Sequence, residues 1–164
     1  MREDLWLWFK TLPPQVGVLL MATLPIFELR GAIPLGYIIK AGSPILIYVI
    51  AVIGNFLPVI PILLLLKPAE MHLRRFKIFD RFFDWLFART VRRSKLIQRF
   101  QALGLILFVA IPAPMTGAWT GSVAAYLFKL PLRMAIPCII LGILIAGIVV
   151  TLAWQGGVAL WSLR

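Results

Sequence analysis

Residues 14–39 read PQVGVLLMATL, PIFELRGAIP, LGYII: an apolar run Pro14–Leu24, a charged and proline-bounded stretch Pro25–Pro34, and a short apolar run to Ile39. A helix needs about 20 predominantly apolar residues to cross a bilayer. Each arm here is about half that length, and the break between them carries Glu28 and Arg30. Such a segment is either a single kinked span or a re-entrant hairpin, which is tolerated only where its broken backbone is buried in protein or lines a polar cavity. The hairpin is favoured, because a kinked span would leave both charges in mid-bilayer with few helices to shield them.

The same grammar returns 88 residues later. Ala102–Ile111 is apolar, Pro112–Ser122 reads PAPMTGAWTGS, and a short apolar run continues to Phe128. Each broken segment is followed by a run long enough to span, Ile45–Leu66 in the first half and Met134–Ala153 in the second. Gly31-Ala32 and Gly117-Ala118 fall at matching places, as do Pro44 and Pro131. The composition agrees: 62% of the 164 residues are hydrophobic and 14% charged, with a mean hydropathy of +0.97. Soluble domains run at roughly 45–50% apolar and 25% charged, so the solvent for this chain is lipid. The single cysteine, Cys138, excludes an intrachain disulfide scaffold. The first ten residues, MREDLWLWFK, carry acids, and no small-residue cleavage site follows, so no secretory signal is expected.

Charge divides the chain into a first repeat (1–66), a basic connector (67–101) and a second repeat with a C-terminal tail (102–164), all within one membrane domain. Ten of the 17 Lys and Arg lie between Lys67 and Arg99. In the connector, Leu73, Phe76, Phe79, Phe83 and Leu86 recur at helical spacing among basic residues. That pattern suits equally a helix lying in the headgroup plane and one packed on the protein's own cytoplasmic face. His72 reads as a solvated loop residue. Lys and Arg collect in cytoplasmic loops. If each hairpin returns to its own side, Lys129 and Arg133 join the connector to make twelve basic residues inside, against Arg2, Lys10, Lys40 and Arg164 outside. The expected fold is therefore all-α and integral to the membrane: an inverted repeat of re-entrant hairpin plus transmembrane helix, joined by a basic amphipathic connector, with both termini outside. The net charge of +11 is matched to an anionic leaflet, and no nucleic-acid partner is expected.

Charged groups at bilayer depth cost at least roughly 2.5–3.5 kcal/mol and usually face a cavity. Arg30, with its fixed fork of donors, suits an anionic substrate group, and Glu28 is the proton-titrating partner. The opposing reading is an ion pair that only pins the tip. Pro112, Pro114, Thr116, Gly117, Trp119 and Thr120 form the second polar tip. A half-helix starting near Thr116 would aim its amides at an anion, whereas on its own the segment reads as a capped turn. Asn55 beside Gly54 is an interhelical partner or a cavity group. The two tips, with Glu28, Arg30 and Gly31 on one and Thr116–Thr120 on the other, are expected to converge near the midplane, as in many transporters. Enzyme chemistry is not expected: the apolar halves hold one acid, no HExxH motif is present, and His72 has neither Ser122 nor Cys138 nearby in sequence. No metal or other cofactor is expected.

Three motifs carry a resemblance across nearly the whole chain. They are Pro25-Ile-Phe-Glu28-Leu-Arg30-Gly31-Ala-Ile-Pro34-Leu-Gly36, Gly54-Asn55 followed by Pro58, and Phe108-Val-Ala-Ile-Pro112-Ala-Pro114-Met-Thr116-Gly117-Ala-Trp119-Thr120-Gly121. The chain resembles the small multi-drug export protein family, itself thought to be distantly related to the DedA/VTT (SNARE-associated) membrane proteins. That resemblance implies two facing re-entrant hairpins and a role in moving undecaprenyl phosphate or phospholipid across a prokaryotic-type cell membrane, with proton coupling. DedA-type proteins carry further acids and arginines near their hairpins that have no counterpart identified here. Export of small cationic compounds and a non-transport role in membrane assembly are the alternatives. The expected partners are membrane lipids, an anionic lipid or lipid phosphate as substrate, and a second copy of the chain in a homodimer that helps cover the broken backbone. Cysteine labelling tests the topology: probes at Lys40 and Ser94 should react from opposite sides, and reaction from one side would end it.

Overall fold

The computed structural model describes residues 13–93, 95–112 and 116–162. The described residues form eight α-helices and no strand: α1 (Pro14–Thr23), α2 (Glu28–Ile38), α3 (Pro44–Phe56), α4 (Val59–Leu73), α5 (Lys77–Arg93), α6 (Lys95–Ala110), α7 (Ala118–Leu127) and α8 (Leu132–Ser162). Two stretches are long and apolar enough to cross a membrane, Pro44–Leu73 and Leu132–Gly157. They enclose the two runs expected to span. Backbone contacts divide the chain into two compact units, 1–55 with 147–164, and 56–146.

In the first unit, α1 opens with Pro14 in its first turn, where the missing N–H costs nothing. It ends because Leu24 precedes Pro25 and is forced to extended backbone, φ −79° and ψ 135°. The chain then doubles back. Gln15 Nε2, at the start of α1, donates to the Ala41 carbonyl just beyond α2 at 2.8 Å, and the two helices pack along their length. At ten and eleven residues they are about 15–17 Å long, half a hydrocarbon core. Val18, Ala22, Ile33, Ile47 and Ala51 form the buried centre. From α8, Trp154 stacks on Tyr37 at 6.5 Å, and Gln155 Nε2 donates to the Tyr37 hydroxyl at 2.9 Å.

The second unit repeats the local pattern. Gln101, at φ 43° and ψ −105°, breaks α6 and isolates an apolar arm, 102–110, that packs on α7. Both second arms end in the same cap. Lys40 (φ 52°) donates to the Tyr37 carbonyl and Ala41 to that of Gly36; Lys129 (φ 52°) donates to Tyr126 and Leu130 to Ala125. This is a Schellman ending with lysine where glycine is usual, and a cation there complements the helix dipole.

The connector differs from expectation in two respects. His72 lies within α4, not in a loop, and its Nδ1 is 2.8 Å from the Pro68 carbonyl. The aromatic stripe also divides. Phe83 is 4% exposed and Phe87 packs on Tyr126 at 6.2 Å, whereas Phe76, Phe79, Phe82 and Trp85 are exposed. Packing against α7 claims one side of α5 and leaves the other outward.

Close approach between helices rests on glycine. A Cβ on Gly54 would stand 2.6 Å from the Leu19 carbonyl oxygen and 2.8 Å from Ala22 Cβ; one on Gly142 would stand 2.5 Å from Val109 Cβ and 3.0 Å from the Ile106 carbonyl oxygen. Small residues at such contacts let membrane helices pack by van der Waals attraction. Gly54→Ala and Gly142→Ala should each destabilise by about 1–3 kcal/mol and lower the melting temperature in detergent. Gly156→Ala, with nothing within 4 Å, should leave it unchanged or raise it. Equal effects at all three positions would refute the packing argument.

Candidate functional site

The first broken segment places a carboxylate where it is buried yet electrostatically supported. Glu28 is the first residue of α2 and only 5% exposed. Acidic groups are stabilised at a helix N-terminus by the macrodipole, and Arg30 adds a guanidinium 3.7 Å from Glu28 Oε2. The arginine side chain keeps 30% exposure and that of the glutamate 6%, so the cation is the more accessible member of the pair. Glu28 sits at φ 47°, a left-handed conformation that costs a non-glycine residue roughly 1–3 kcal/mol and collects at functional sites. Gly31 closes the turn: a Cβ there would lie 2.8 Å from Phe27 Cβ.

Asn55 belongs to the same unit and is 2% exposed. Its Oδ1 is buried with no hydrogen-bond partner, an acceptor whose desolvation costs about 1–3 kcal/mol when unmet. Gly54 against Ala22 places Asn55 near the depth of the first tip, which begins two residues after Ala22. Glu28, Arg30, Gly31 and Asn55 thus share the first unit.

Pro112, Thr116, Gly117, Trp119 and Thr120 belong to the second unit, and Pro114 lies outside the described residues. Helix α7 starts at Ala118, close to Thr116, with Gly117 (φ 141°) as its N-cap and no side-chain cap. The hydroxyls turn back on the chain. Thr116 Oγ1 donates to the Ile111 carbonyl at 2.7 Å, closing the tip, and Ser122 Oγ donates to that of Ala118 at 2.7 Å. Both protons are thereby committed to backbone carbonyls.

Sequence reasoning missed a second polar cluster, in the second unit. Glu70 Oε1 accepts from Arg74 Nε at 2.8 Å, and Oε2 accepts from the Tyr126 hydroxyl at 2.7 Å. Arg74 Nη1 also donates to Asp80 at 2.6 Å and Asp84 at 2.8 Å. The hydrogen bond to Asp84, then those to Glu70 and Asp80, hold its guanidinium pKa above the ordinary value. One side chain therefore ties α4 to α5, and Tyr126 ties that knot to α7. The Glu70–Arg74 spacing of four was a readable signal; Tyr126, 56 residues away, was not.

Residues 28–149 match the family model described as "Putative small multi-drug export protein". The chain belongs to this family. The matched region begins at Glu28 and contains every candidate residue of the first tip, the second tip and the Glu70–Arg74–Tyr126 cluster. No curated protein and no solved structure matches the chain. The rigidity of the α4–α5 knot can be read directly by hydrogen exchange. Arg74→Gln should speed amide hydrogen exchange throughout Lys77–Arg93 while leaving Leu132–Ala146 protected. Unchanged exchange in α5 would show that the knot is not what holds the connector.

Proposed function

We propose that this small multi-drug export family member is a membrane transporter or scramblase, not an enzyme, that moves a lipid-linked phosphate such as a polyprenyl phosphate or phospholipid. The carrying observation is the buried carboxylate of Glu28 beside the partly exposed Arg30 at the start of a half-length helix. An accessible arginine recognises a phosphate by paired, charge-assisted hydrogen bonds. The unpartnered Asn55 Oδ1 supplies an acceptor for a donor on the substrate or its water. Glu28 is the titratable partner through which proton movement is coupled to the substrate.

Under this reading the two broken segments are re-entrant hairpins and the two halves form an inverted repeat, in keeping with a distant relation to the DedA/VTT proteins. The matched Lys40 and Lys129 caps and the two glycine contacts support a common ancestry of the halves. The charge distribution supports a connector in the cytoplasm and both termini outside a prokaryotic-type cell membrane. A homodimer would shield the broken backbone further.

The family's description favours a second reading, export of small cationic compounds, in which Glu28 is the cation site. Proteoliposomes separate the two. Under the lipid reading, Arg30→Ala slows polyprenyl-phosphate flipping by about tenfold or more, the scale of a lost charge-assisted hydrogen bond, and Arg30→Lys restores part of it. Under the export reading, Glu28→Gln abolishes drug uptake and Arg30→Ala does not. Full lipid flipping by Arg30→Ala would overturn the proposal.

A further inference from the structure

The second unit holds an open-sided cavity of about 570 Å³, its lining including Lys67, Glu70, Phe87, Tyr126, Lys129 and Leu130. That volume lies within the roughly 300–1,000 Å³ of small-ligand sites. Most of the wall is leucine and aromatic carbon, and the charges are arranged in a particular way. Both oxygens of Glu70 are already engaged, by Arg74 and by Tyr126, so the negative charge in the lining is answered within the protein. Lys67 and Lys129 are not so answered: among the described residues no carboxylate stands within ion-pair distance of either. The lining is left with an excess of positive charge over an apolar interior.

The two lysines are also placed at a definite depth. Lys67 follows the apolar run Val59–Leu66, and Lys129 follows the apolar helix α7. Each marks the point where apolar sequence ends, which is headgroup level in a bilayer. Lys129 is held there by its backbone, through the φ 52° cap and the bonds from Lys129 to Tyr126 and from Leu130 to Ala125. Tyr126, three residues earlier, is fixed by Glu70 and by the Phe87 ring. An ammonium is a compact point charge that attracts phosphate without demanding a planar fork.

We propose that this cavity binds one anionic bilayer lipid, its phosphate held between Lys67 and Lys129 and its acyl chains laid along Leu130 and the neighbouring leucines. Its lining includes neither Glu28 nor Arg30, and it stands whether the transported species is a lipid or a drug. Bound lipid would brace the α4–α7 contact that the Glu70–Tyr126 bond already makes.

The test uses the full chain, purified in neutral detergent, with native mass spectrometry to count retained phosphatidylglycerol against phosphatidylcholine. One phosphatidylglycerol should be retained in preference. Lys67→Gln combined with Lys129→Gln should weaken it by about tenfold or more, the scale of two interfacial lysines. Arg75→Gln combined with Lys77→Gln, which removes two exposed charges outside the cavity lining, should leave it unchanged. Leu130→Trp keeps every charge but fills the cavity, and should also exclude the lipid. Equal loss in both charge variants, retention in Leu130→Trp, or no loss in the lysine variant would each overturn the site. Displacement of the lipid by an equal concentration of inorganic phosphate would overturn its assignment to a lipid rather than a free anion.

Discussion

In hydrocarbon a broken backbone has no water to turn to, so each interrupted peptide group must find its partner within the protein. Both tips find such partners within the protein. At the first, Leu24 donates to Met21, Phe27 and Glu28 both donate to Leu24, and Gly31 donates to Phe27. At the second, Ile111 donates to Leu107 and then accepts from the Thr116 hydroxyl. Once the backbone turns in this way, the second arm must return along the first, as the Gln15–Ala41 bond records. The charges follow from the same geometry. A helix that begins at the tip offers its positive end there, and Glu28 occupies that end in the first unit.

The contacts that hold the arms are made by small residues, because apolar side chains gain little by leaving lipid for one another. Gly54 of α3, against α1, and Gly142 of α8, against the 102–110 arm, perform the same task in the two units. Glu70 and Tyr126 add the opposite kind of contact, a polar bond between elements far apart in the chain. With Arg74 shared among three carboxylates, the connector becomes a packed part of the second unit on one side while its other side keeps exposed aromatics. A ligand in the adjoining cavity would meet three of these elements at once.

The half-length arms and the two spanning runs were legible because hydrophobic length is a local property of the chain. Pro25 announced the first break, since it forces Leu24 out of helix. Helix α7 begins at Ala118, close to Thr116, with Gly117 in the cap position and the Thr116 hydroxyl turned onto the Ile111 carbonyl. The connector's stripe was seen, but its division was not. Whether Phe83 or Phe79 faces inward depends on where α7 lies, which helical spacing alone does not encode.

What the sequence determined by itself was the solvent, the lengths of the apolar elements and the one charged pair within them. Those are fixed by composition and by spacing along a single helix, where neighbours are three or four residues apart. Tertiary structure decided which of those charges are buried and what they touch. It alone brought Tyr126 to Glu70, turned the Asn55 carbonyl into a site without a donor, and set Lys67 and Lys129 around one cavity. Each of these depends on how separate segments of the chain pack, which spacing along one helix does not encode.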